Sequence, residues 1–263
     1  MEAVEFRGPA GVFAVILLEF ALGSLGVLVV APVWGVVKRG YFLLVGWSVV
    51  VCALLARLAA GGALSRIGSE ASLANWSMWA FAGLSVVALA LLHRRVPAAR
   101  WVSVVACLAG LVALVAVADL RGAGSTAVGG VAAMVTGAAF LGATWDGMLL
   151  GHWYLVDRKL TNDPMRWHAW AFTVSIALAL VSASLARGGG PTGSEASLNP
   201  LLLVSDLTLY LAFGLVAVNA LLAFFVHKLV NEGSIRAATG MLYLAVIMAF
   251  AAEFAAKARF FTV

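Results

Sequence analysis

The feature that most constrains this chain is the recurrence of apolar runs long enough to cross a bilayer. An α-helix rises about 1.5 Å per residue and the hydrocarbon core is about 30 Å thick, so a spanning helix needs about 20 mostly apolar residues. Eight runs meet this: 11–37, 41–60, 74–92, 100–118, 127–155, 167–186, 201–226 and 237–256. Backbone N–H and C=O groups in lipid must be paired within the segment, which dictates helices. The expected fold is an all-α integral membrane protein with eight transmembrane helices. Composition agrees: 63% of the 263 residues are hydrophobic and 11% charged, against roughly a quarter charged in soluble domains. The sequence opens with Glu2 and Glu5 rather than a basic stretch. Its first apolar run exceeds the roughly 7–15 residues of a signal-peptide core, so it reads as the first span.

Polar segments separate the runs. Lys38-Arg39-Gly40 and His93-Arg94-Arg95-Val96-Pro97 are short and basic, while Gly61-Gly62 onward and Arg187-Gly188-Gly189-Gly190-Pro191 are rich in small residues. The softest boundary is the first, where only Lys38 and Arg39 interrupt a continuous apolar stretch. The net charge of +5 does not indicate nucleic acid, because the basic residues lie in loops between apolar runs and not on one patch. Cys52 and Cys107 fall inside apolar runs, and no CxxC or CxxCH occurs. No metal site is therefore expected from the cysteines.

With eight spans both termini lie on one side. Arg7, Arg66, Arg121, Arg187, Lys257 and Arg259 fall on that side. Lys38, Arg39, Arg94, Arg95, Arg100, Arg158, Lys159, Arg166, Lys228 and Arg236 fall on the other, with Arg57 inside the second run. The basic excess marks the cytoplasmic face, so a multi-pass protein of the inner (cytoplasmic) membrane with both termini outside is expected. Gly68-Ser69-Glu70-Ala71-Ser72-Leu73 recurs as Gly193-Ser194-Glu195-Ala196-Ser197-Leu198, each before an apolar run that ends in a His and a basic residue. This suggests two four-helix halves, residues 1–126 and 127–263, in parallel orientation.

Ionisable side chains in hydrocarbon are costly and point to function. Glu19, Asp119, Asp206 and Glu253 fall in the outer half under this orientation, and the four histidines at or near the inner ends. Glu253 precedes Lys257 by four residues, the favourable order for a helical ion pair; Asp119 precedes Arg121 at a helix end, and Arg57 can snorkel. Glu19 has no basic partner within two turns of its own helix. The densest polar segment runs from Thr144 to Tyr154. It combines Asp146, the Gly147/Gly151 step, His152, Trp153 and Tyr154, and such a step admits a close helix crossing. Glu19, Asp146 and His152 are the expected proton-handling residues. His152, Trp153, Tyr154, His168, His93 and His227 are the expected contacts for a quinone head group or, ranked below it, a haem b. Trp34, Trp101, Trp153, Trp167 and Trp170 also suit an interfacial belt.

Three functions compete. One is a membrane subunit of a respiratory or other redox complex that binds quinone, handles protons and assembles with further membrane or peripheral redox subunits. Its two-bundle, eight-span plan resembles, in architecture alone, the quinone-reactive membrane anchors of molybdenum reductases. The second is a small secondary transporter with its site between the halves. The third is a non-catalytic scaffold or assembly subunit.

Overall fold

The computed structural model describes residues 9–94, 97–120, 127–157, 159–185 and 207–261. These residues are almost wholly helical and contain no strand. The helices are α1 (Pro9–Val30), α2 (Arg39–Ile67), α3 (Ser72–Arg94), α4 (Ala99–Asp119), α5 (Ala127–Val156), α6 (Asp163–Leu185), α7 (Leu207–Asn231) and α8 (Ile235–Phe261), with one turn of 3-10 helix at Gly68–Ala71. Among the described residues six segments are long and apolar enough to cross a membrane, consistent with a multi-pass helical membrane protein. One of the six, Arg39–Arg94, contains both α2 and α3, and α6 is not among them. The first turns of α6 carry Asp163, Arg166 and His168, which lowers its mean hydropathy.

Several helix limits differ from the expected ones. The first run was expected to continue to residue 37, but α1 stops at Val30 and residues 31–38 form turns. Gly35 adopts φ 82° there, a left-handed conformation that glycine takes without steric cost. Gly61-Gly62 does not end α2; the helix continues to Ile67 and closes on Gly68 at φ 76°. The first copy of the repeated six-residue segment supplies this closing turn and the start of α3. The second copy, with the Arg187–Pro191 break, Asp206 and the start of the seventh run, lies outside the described residues.

α1 and α5 form the middle of the bundle. In its most apolar stretch 78% of α1 is buried, and 72% of that of α5, against 39% or less in the other membrane-length segments. Apart from Glu19 and Ser24, α1 is apolar on all sides, which suits a helix in a protein core or in lipid. α1 packs on α2, α4, α5 and α8, and α5 on α1, α4, α6, α8 and part of α2. Outside them, α2 lies on α3, α3 on α4, α6 on α7 and α7 on α8.

The seam between α1 and α5 is set by two glycines. A Cβ on Gly23 would overlap the Ala138 carbonyl, and one on Gly142 would overlap the backbone of Gly23. The two backbones thus touch, as small residues allow in helix pairs. Glu19 lies near Gly137 and Gly23 against Gly142, so α1 and α5 run parallel. α8 is antiparallel to α5: Glu253 faces Gly137, Leu242 faces Gly147, and Thr239 packs tightly on Gly151.

Candidate functional site

Two polar sites occupy the centre of the bundle. The first is a cluster of three charged side chains. Lys257 Nζ of α8 lies 2.9 Å from Glu19 Oε1 of α1 and 3.2 Å from Glu253 Oε2, one turn back on its own helix. The ammonium also donates to the Ala133 carbonyl of α5 at 3.1 Å. All three side chains are buried, with Glu19 at 0% and Lys257 at 2% exposure. Gly137 makes room for both acids: a Cβ there would come within 2.7 Å of Glu253 Oε2 and 3.1 Å of Glu19 Oε2. The Glu253–Lys257 pair expected from sequence therefore forms, but in the protein interior and joined to Glu19. Glu19, whose own helix carries no basic residue, pairs with one 238 residues away, a distance that follows from positions 19 and 257.

The second site lies further along the same seam. Asp146 of α5 is fully buried, nine residues beyond Gly137 and so about 13 Å along the helix. Neither of its carboxylate oxygens has a hydrogen-bond partner within ordinary geometry. The Ser24 hydroxyl of α1 lies beside it. The buried Tyr41 hydroxyl of α2 sits 3.5 Å from the Asp146 carbonyl oxygen and 3.4 Å from His168 Nε2 of α6. His168 Nδ1 is 2.9 Å from the Pro164 carbonyl, so it carries the ring proton there and leaves Nε2 free to accept from Tyr41. Thr144, buried between the two sites along α5, bonds back to the Phe140 carbonyl at 2.7 Å. Trp145 spans the seam, packing edge-on to Phe20 at 5.1 Å and donating to Ser48 Oγ at 3.1 Å.

Not all the expected residues belong to this centre. His152 points outward from α5, exposed, with Tyr243 Oη 3.4 Å from its Nδ1. Six residues separate it from Asp146, and the helical turn puts the two on different faces. His93 is exposed at the end of α3. Trp153 lies across Gly40, locking the start of α2 to α5. Tyr154 is buried and donates to the Thr161 carbonyl, which ties down the turn into α6. Asp119 is exposed at the end of α4. His227 is half-buried on α7, with Thr173 Oγ1 2.9 Å from its Nε2 and the Trp170 ring edge-on at 4.7 Å. These three residues border a groove of about 470 Å³ between α6 and α7, completed by Ile176, Ala220, Ala223, Phe224 and Asn231.

The four histidines therefore have four different surroundings, on α3, α5, α6 and α7. His168 has both ring nitrogens engaged. This does not fit axial ligation of a haem, which needs two imidazoles facing one gap. Among the described residues no three His, Cys, Asp or Glu side chains are grouped to hold a metal ion. At the rim, Lys38 Nζ pairs with Asp157 Oδ2 at 2.9 Å. The hydrogen bond from Lys38 holds the Asp157 carboxyl below the usual carboxylate range.

Sequence reasoning missed Tyr41 and Ser24, and it missed the contact of Lys257 with Glu19. The signal available for the last was an acid–base pair four residues apart within an apolar helix, and an acid on another apolar helix that carries no basic residue.

Taken together, the described residues define a helical bundle with membrane-length apolar segments and a charged centre. Comparison with family models, curated proteins and solved structures finds no match for the chain.

Proposed function

We propose that this chain is a membrane subunit of a respiratory or other redox complex that binds quinone and handles protons along the α1–α5 seam. The observation that carries the proton-handling role is the Glu19–Glu253–Lys257 cluster, in which two buried carboxylates meet at one buried ammonium. With all three groups ionised, two carboxylates and one ammonium leave a net negative charge in a closed apolar interior, at a cost of several kcal/mol. One proton on either glutamate removes that charge. The cluster is thus a holder of one exchangeable proton. Ser24 and Thr144 lie between it and Asp146, a second buried acid without a counter-ion. Tyr41 and His168 continue the polar line beyond Asp146.

The α6–α7 groove supplies the quinone part of the reading. It is apolar along its length, with His227 and Thr173 at one side and the Trp170 ring beside them. An apolar slot with a few polar groups suits a flat ring bearing carbonyl oxygens.

In this reading the chain spans the membrane eight times as two halves of four helices, with both termini outside the cytoplasm. The pattern of neighbours supports the halves: α1 to α4 pack in the same order as α5 to α8, and α1·α8 matches α5·α4. The parallel course of α1 and α5 is the relation such halves require. α6, with 23 residues, is long enough to span. Alternating access would require the halves to part at the seam, where Gly23 and Gly142 are in backbone contact; this favours the redox subunit over a transporter.

The test is purification from native membrane, followed by solvent extraction and identification of bound quinone and of co-purifying chains. The expected result is stoichiometric quinone, lost in His227→Ala, together with a redox partner subunit. Absence of both quinone and redox partner would overturn this reading and favour a scaffold.

A further inference from the structure

Arg57 is the one basic residue inside α2 between its first and last turns. Its guanidinium stacks over the Trp79 ring at 5.0 Å and donates to Asn75 Oδ1. Its Nε is buried and has no hydrogen-bond partner. Among the described residues no carboxylate lies within ion-pair distance of it. Among the described residues the charge therefore has neither a counter-ion nor a full set of acceptors, an arrangement that costs free energy unless something completes it.

A cavity of about 290 Å³ opens beside this group, between α2 and α3 at their shared turn. Its polar lining is Arg57, Ser65, Ser72 and Asn75. Ser65 donates its proton to the Gly62 carbonyl at 3.1 Å. Asn75 accepts from Arg57 through its oxygen, which leaves its amide N–H groups for the cavity. The lining thus offers a permanent positive charge and several donors, and no acid; Glu70 in the adjoining turn is exposed and is not part of it. That is the chemistry of an anion site, and guanidinium suits phosphate oxygens.

The surroundings indicate where the phosphate comes from. Trp76 and Trp79 are 70% and 44% exposed, and Leu58 and Leu73 are 68% and 60% exposed. Indole rings beside a basic group mark the head-group level of a bilayer, and the two leucines give acyl chains apolar surface. We propose that the Arg57 cavity binds the phosphate of an anionic phospholipid, with Arg57 and Asn75 as its donors.

The experiment follows thermal unfolding of the full chain in detergent during titration with three probes: short-chain phosphatidylglycerol, short-chain phosphatidylcholine and inorganic phosphate. Phosphatidylglycerol is expected to raise the unfolding midpoint saturably, with much weaker responses to the other two. Arg57→Gln should weaken the apparent affinity about tenfold, the loss of one charge-assisted hydrogen bond, and Arg57→Lys should keep part of it. If Arg57→Gln does not fold, Gly61→Leu gives the same test. A Cβ at Gly61 stands 3.2 Å from Arg57 Nη1, so the longer side chain fills the cavity without altering the charge. An unchanged response in Arg57→Gln or in Gly61→Leu, or no response to phosphatidylglycerol in the wild type, overturns the site. An equal response to inorganic phosphate overturns the lipid source.

Discussion

The two acidic sites on the α1–α5 seam solve the same problem differently. Glu19 and Glu253 share a buried ammonium, Lys257, and a backbone carbonyl completes the ammonium's bonding. Asp146, about 13 Å further along α5, has no ion-pair partner among the described residues; the hydroxyls of Ser24 and Tyr41 lie near it. The first site is held by charge pairing, two carboxylates against one ammonium. The second is tolerable only as a neutral acid. The difference teaches that removing the ammonium should cost far more than replacing an acid at either place by its amide.

The largest effect is expected at Lys257. Lys257→Met leaves two carboxylates without their cation, and breaking a buried pair from one side costs about 3–5 kcal/mol. Glu19→Gln leaves one carboxylate with the ammonium, a balanced pair, and should cost far less. Unfolding in detergent, followed by circular dichroism, compares them; equal losses would erase the distinction between a paired cluster and a single acid. Next comes the seam itself. Gly142→Ala places a methyl group into the backbone of Gly23, and overpacking of this kind costs about 1–3 kcal/mol. Gly26, on α1 with open space around it, is the control, and Gly26→Ala should not show that loss.

A smaller change in stability is expected at Asp146. Asp146→Asn keeps shape and neutrality and should alter stability by less than about 1 kcal/mol. Under the function proposed above it should nevertheless abolish proton uptake coupled to quinone reduction, measured with a pH-sensitive dye in liposomes containing the protein with whatever redox partner co-purifies. Normal uptake in the variant would remove Asp146 from the path. The smallest effect belongs to the rim pair Lys38–Asp157. Its carboxyl is held below the usual range by Lys38. The stabilisation is therefore present above the unfolded value of about 3.9 and is lost as pH falls through the lower folded value. Asp157→Asn should be slightly less stable than the wild type at neutral pH and equal to it in strong acid.

The helical membrane character was legible because apolar run length is a local property of sequence. The limits of α1 and α2 were less so: Pro32 and Gly35 fall in the turns after one helix, whereas Gly61-Gly62 lies inside the next, which runs on to Ile67. Glu19 and Asp146 stood out in the sequence because each is an acid in an apolar run, and both are buried at the seam. His152 did not join them. Its neighbourhood in sequence was polar, but its face of α5 is turned outward. The Glu19–Lys257 contact was illegible for a different reason: it depends on which helices touch, and the contact of α1 with α8 is a property of the assembled bundle. Likewise the Gly147/Gly151 step was visible as a spacing, yet the tightest crossing in the centre uses Gly23 and Gly142, which no short motif joins.

The central claim is that protons reside in the seam, one in the cluster and one on Asp146. Infrared spectroscopy of the protein in lipid at neutral pH tests it directly, through the carbonyl stretch of protonated carboxylic acids and its shift in deuterium oxide. The account predicts two such bands, one lost in Asp146→Asn and the other altered or lost in Glu19→Gln and Glu253→Gln. A wild-type spectrum at neutral pH without protonated-carboxyl absorption would contradict it.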